Sequence, residues 1–251
     1  MSIRRNDLDL VTDEVTTNVT YGVTEDLEVN LAVPVLHTTF DADGQLVQPG
    51  RPFPPQRGST NDTELGVGDL FLRGKYRFLR GRFGELAAGL VFRLPSGNED
   101  DFQGTGFFEV SPRLYASTPA VELAPYVRVQ GFLNAGLDLV PEQSDRGEGR
   151  YGVGIDVMLA SRATLSVAFL AREPFGRLVP PGTMDVLRAD GSRSPVFRLS
   201  PGHPSYYDVS VGGRVNLWRD TVFGIFNVVV PANRDGVRAS VVPLVGIEVA
   251  F

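Results

Sequence analysis

Arg73, Lys75 and Arg77 are cations at a spacing of two. Side chains of an extended strand alternate between its faces, so this spacing sets all three on one side. Like charges in such a row need carboxylates on neighbouring strands or a bound anion. A second pattern, His203-Pro204-Ser205, places a base two residues from a hydroxyl, the beginnings of nucleophilic hydrolysis. It lies in a polar, Pro-containing stretch, where a plain loop is the simpler reading. The only other histidine, His37, has no nearby pair of carboxylates, which makes a metal centre a poor fit. Gly152-x-Gly154 and Gly212-Gly213 fall inside strand-like segments, where missing bulk eases packing rather than cradling phosphate. The expectation is a protein that is not an enzyme and carries neither metal nor cofactor.

The elements that hold these residues are strands. In the closing stretch Val241, Pro243, Val245, Ile247, Val249 and Phe251 are apolar, whereas Ser240, Gly246, Glu248 and Ala250 are small or polar. That alternation defines a strand with one oily face. The same rhythm marks ten earlier segments: 15–23, 27–35, 67–79, 85–94, 104–115, 121–134, 151–159, 163–172, 206–217 and 221–231. Every second connection is tight, at 24–26, 80–83, 118–120, 161–162 and 218–220. Those between are mostly long, at 41–65, 95–103, 138–150 and 173–204, with 233–236 the exception.

The composition narrows the class. The chain of 251 residues shows no linker or low-complexity break, so it reads as one domain over residues 1–251. A membrane helix needs about 20 consecutive apolar residues; residues 221–233, a charge-free run, number 13. Net charge is −6 without a basic run, which argues against a nucleic-acid partner. The absence of cysteine excludes disulfides and thiolate metal sites.

Alternation alone does not say which parity faces out. Eleven strands, each with about five apolar side chains, would line a cavity too wide to pack dry, and the short-turn, long-loop asymmetry is that of outer-membrane barrels. Aromatics fall near both strand ends: Tyr21, Phe78, Trp218 and Phe251 at the short turns, Phe92, Phe132, Tyr151 and Tyr207 towards the long loops. The expected fold is therefore all-β: an antiparallel up-and-down transmembrane β-barrel with the short turns periplasmic. Phe251 at that end makes the first visible strand run downward, and bacterial barrels have even strand numbers. About 12 strands are expected, eleven of them visible. MSIRRNDLDL has no apolar core, so a signal peptide and a first strand are expected to be missing ahead of residue 1, unless residues 2–10 supply a substitute strand.

The polar parity then lines the lumen. Its acids are Glu28, Asp69, Glu85, Glu109, Glu122, Asp156, Asp208 and Glu248. Its bases are Arg73, Lys75, Arg77, Arg93, Arg113, Arg128, Arg150, Arg172, Arg214 and Arg238. Tyr126 and Gln130 share the parity. Ten bases against eight acids lean faintly basic, so the acidity sits in the loops. Two roles are open for these rows: cross-strand ion pairs that narrow or plug a small barrel, or solute selectivity, for which Arg73, Lys75 and Arg77 are the leading candidates.

The segments YGVTEDLEVNLAVPV (residues 21–35) and GVGDLFLRGKYRF (66–78), with the closing strand, resemble a family of outer-membrane channels named for the meta-pathway of phenol degradation. The resemblance implies residence in the bacterial outer membrane and passage of small, aromatic or hydrophobic compounds. The implied partners are outer-membrane lipid, the small solute and the barrel-insertion machinery, which would read Phe251 as an assembly signal. Residues 51–65 and 179–204 depart from the family pattern. His203-x-Ser205 is similar to the spacing in outer-membrane phospholipase, but Tyr206-Tyr207 replaces the Asn-Gly that follows there. Two alternatives to a channel remain: a structural or adhesive barrel with a plugged lumen and binding loops, motivated by the 173–204 excursion, and a lipid hydrolase.

Overall fold

A computed structural model describes residues 7–46, 56–99, 101, 103–160, 162–176, 185–187, 193–195, 205–234 and 239–250. The strands are β1 (Asp7–Gly22), β2 (Leu27–Leu46), β3 (Gln56–Val67), β4 (Leu70–Gly81), β5 (Gly84–Leu94), β6 (Glu109–Ser117), β7 (Val121–Ala124), β8 (Val127–Asp138), β9 (Glu148–Leu159), β10 (Ala163–Pro174), β11 (Asp185–Leu187), β12 (Arg193–Pro195), β13 (Tyr206–Trp218), β14 (Val222–Pro231) and β15 (Val242–Val249). One 3-10 turn, Ser144–Arg146, is the only helical segment among the described residues. The fold is an antiparallel up-and-down sheet in the order β1-β2-β4-β5-β6-β8-β9-β10-β13-β14-β15. β3 and β7 are added to β2 and β8, and β11 pairs with β12. Eleven strands form the main path, and among the described residues no register joins β1 to β15.

The sheet curls strongly. A cavity of about 550 Å³ is lined from the β1–β2 turn round to Asp156 on β9. Another of about 510 Å³ runs from Arg113 on β6 to Val242 on β15. The register assigns the faces. Arg73, Val91 and Ser111 are partners across β4, β5 and β6, and Gln130, Asp156 and Ser166 across β8, β9 and β10. These parities face the hollow.

The distribution of polarity is inverted relative to a water-soluble sheet. Among the described residues the buried polar ones are Thr38, Asp69, Gln103, Ser111, Asp138 and Ser210, whereas the buried apolar set holds only Ala32, Ala87, Val140 and Ala171. The outward parity is apolar and open: Val153, Ile155, Leu165, Val167, Val209 and Val211 are all exposed, as are Val245 at 88% and Ile247 at 77%.

Four boundaries differ from expectation. Residues 41–65 are not a simple loop: β2 runs on to Leu46 and β3 returns along it, from Val35↔Val67 to Leu46↔Gln56. The expected strand over 67–79 breaks at Gly68-Asp69, where Gly68 N–H donates to the Pro34 carbonyl. Residues 104–108 precede β6 rather than opening it. The tight turn at 118–120 is a bulge, held by Thr118 N–H to the Gly131 carbonyl at 2.9 Å. The chain reverses instead at Pro125-Tyr126, because proline cannot donate to the ladder and Tyr126 takes a left-handed φ of 69°. The substitute strand over residues 2–10 is likewise corrected where it is described: residues 7–10 extend β1 and pair with β2 as far as Asp7↔Asp43.

Candidate functional site: the charged inner wall

The cation row at 73, 75 and 77 faces inward, and neighbouring strands answer each charge. Arg73 donates to the amide oxygens of Asn30 and Asn18 at 3.1 and 3.3 Å. Lys75 lies 3.5 Å from Glu28, its register partner, and over the Tyr115 ring. Arg77 pairs with Asp26 at 2.8 Å and Glu85 at 3.5 Å. The row is thus largely satisfied by the wall itself.

A second network lies nearer the long loops. Asp138, at the end of β8, is 2% exposed and accepts a hydrogen bond from Ser111 Oγ at 2.7 Å. Both Arg113 on β6 and Arg150 on β9 form ion pairs with it. Arg150 also meets Glu148 at 2.5 Å. Glu109 lies 3.0 Å from the Ser111 hydroxyl and competes for its single proton. Gly136 stands opposite Arg113 in register, and a side chain there would occupy the space that the guanidinium arm crosses. Asp138 opens the stretch expected to be a loop, yet it continues the inward parity of Gln130 and Asn134 four residues further, the signal by which the sequence marks it.

Asp69, 2% exposed and preceding β4 at the loop end, is a third centre. It accepts bonds from Arg93 Nε (2.8 Å), Gly97 N–H (3.1 Å), Thr105 N–H (2.9 Å) and Thr105 Oγ1 (2.8 Å). Burial alone would raise its pKa, but the Thr105 and Gly97 bonds and the Arg93 charge outweigh it and hold the carboxyl below its ordinary value. The arrangement latches the 95–105 segment against the wall.

The remaining expected positions sort by face. Asp156 accepts from Ser166 at 2.5 Å and borders the first cavity. Asp208 borders the second. Arg214 makes a bidentate pair with Glu248 at 3.0 and 2.8 Å. Arg128 lines a small cavity beside Arg214 and Phe223. Tyr126 is a correction: it sits at the β7–β8 turn, 80% exposed, and lines no part of the hollow. Phe132 is another: it faces inward over Gly154, its register partner, rather than joining an outer aromatic girdle. Tyr21, Phe78 and Trp218 are exposed at the short-turn end as expected, and Phe169 stacks on Tyr207. Phe251, His203 and Arg238 lie outside the described residues. Ser205 is described, and its hydroxyl donates to Glu173 at 2.6 Å. Asn233 binds the Ser205 carbonyl and the Tyr207 amide, so Ser205 belongs to a join between two loop ends.

Among the described residues the ion pairs on the wall lie within one strand, between strands that are neighbours or next neighbours in the sheet order, or between a strand and an adjoining turn. Among the described residues none crosses the hollow. The geometry is that of a curved wall whose inward charges are largely paired along the sheet. No protein-family model matches the chain, and no curated protein matches it either.

Proposed function

We propose that this chain forms the wall of an outer-membrane channel that passes small molecules without a cofactor, in keeping with its resemblance to the channel family named for phenol degradation. The observation that carries the reading is the inverted polarity: valine, leucine and isoleucine stand exposed on the outer face while aspartate and serine are buried within. An apolar band of that extent is unfavourable in water and favourable against lipid. Most strands of the main path reach the roughly ten residues that a tilted strand needs to cross a bilayer.

A sealed barrel acting through its loops is the competing reading. Cross-strand ion pairs such as those of Asp138 with Arg113 and Arg150 fit it as well; the cavities beside them favour the channel. Planar-bilayer recording on the refolded chain separates the two. Steady unitary openings support a channel; protein that inserts and stays electrically silent over a wide voltage range contradicts it.

A further inference from the structure

We infer that the inner wall holds a binding site for a monocarboxylate with an apolar body, its head group on Arg172. This rests on the channel reading for its orientation, but the site is defined by the wall. Arg150 and Arg172 are direct partners across β9 and β10. Like charges placed opposite each other on one face repel unless an anion lies between them or beside them. Arg150 has two carboxylates, Asp138 and Glu148. Arg172 has none within ion-pair distance among the described residues; its guanidinium lies 5.0 Å from the Tyr206 ring centroid. Asp138, which is buried, and Glu148, whose side chain is 16% exposed, border the loop-side cavity with Arg172, but neither lines the cavity that runs on to β15. Asp208, opposite Leu170 in register, is the carboxylate that borders the same space.

Arg150 and Arg172 both line two cavities, one towards the loops and one along β9 to β15. The second, of about 510 Å³, has an apolar side made by Leu170, Val229, Pro231 and Val242. Leu170, Val229 and Val242 are inward-parity residues, an exception to the polar rule of this wall. A guanidinium fork beside a hydrocarbon patch selects for a carboxylate that carries an apolar chain. Neither half alone supplies both terms: acetate lacks the body, and hexanol lacks the charge.

The test uses the full chain refolded in detergent micelles, with hexanoate, acetate and hexanol as probes in saturation-transfer NMR and titration. Hexanoate should bind at least about tenfold more tightly than either of the others, since an unmatched charge or an exposed chain each costs about that much. Arg172→Gln should weaken hexanoate about tenfold, and Arg172→Lys should restore part of the loss, with strand content checked by circular dichroism. Equal weak binding of all three probes to the wild-type chain would overturn the site without recourse to any variant. So would a folded Arg172→Gln chain that binds hexanoate as the parent does. Hexanoate binding to a chain that is silent in bilayers would sink the channel and keep the site. Conductance without any preference for hexanoate would do the reverse.

Discussion

Asp138 joins Arg113 to Arg150 on the wall; Arg113 has that one carboxylate within ion-pair distance among the described residues, while Arg150 has Glu148 as well. Asp138→Asn should leave Arg113 without a carboxylate and Arg150 with Glu148 alone, lower the melting temperature and shift the reversal potential in a KCl gradient towards anion selectivity. An unchanged reversal potential would place these charges away from the conduction path. Asp69 gives a prediction in pH. Its folded pKa lies below the ordinary 3.8, so its contribution is present above that value and is lost as pH falls through the lower, folded one. Acidification below about pH 4 should therefore free residues 95–105 from the wall, seen as protease cleavage there, and Asp69→Asn should show that cleavage already at neutral pH. The cation row was legible in the sequence as a row. That its partners are Asn30, Glu28, Asp26 and Glu85 was not, because register between strands decides it and no single strand carries that information.

Alternation was enough to find the strands of the main path, since one face had to be oily along its whole length. It failed where that demand lapses. Beyond Thr38 the sequence of β2 and of its partner β3 is largely polar without a sustained apolar alternation, so a paired hairpin looks like a loop. The β7–β8 reversal was hidden because Val121, Leu123, Val127 and Val129 keep one parity across Pro125-Tyr126. Two predictions belong to this level. Val153 faces outward near the middle of β9 and is exposed. Val153→Arg should cost about 2–4 kcal/mol of folding free energy in lipid, read from urea titration in vesicles, while Val153→Leu should be close to neutral. On the inward face, Gly154 carries the Phe132 ring. Gly154→Val should destabilise by about 1–3 kcal/mol, and Phe132→Ala in the same chain should recover part of that loss.

At the scale of the molecule, the sheet puts a wall of ion pairs and small residues inside and a band of branched aliphatic side chains outside. The sequence supplied both parities but not which of them faced out, since inverting the sheet leaves the alternation unchanged. Curvature breaks that symmetry: the parity of Asp156 and Arg150 lines the two charged cavities, whereas Ile155 and Val153 are exposed and border an apolar recess with Leu133 and Phe83. The absence of native cysteine allows each parity to be probed with a single introduced thiol. The direct measurement is accessibility along β9 in lipid vesicles, with cysteine placed in turn at Gly152, Val153, Ile155 and Asp156. Thiols at 152 and 156 should react with a small charged thiosulfonate, and nitroxide lipids should quench a fluorophore only at 153 and 155. Reaction of both parities from water, or quenching without alternation, would contradict a lipid-facing outer surface around a hydrated lumen.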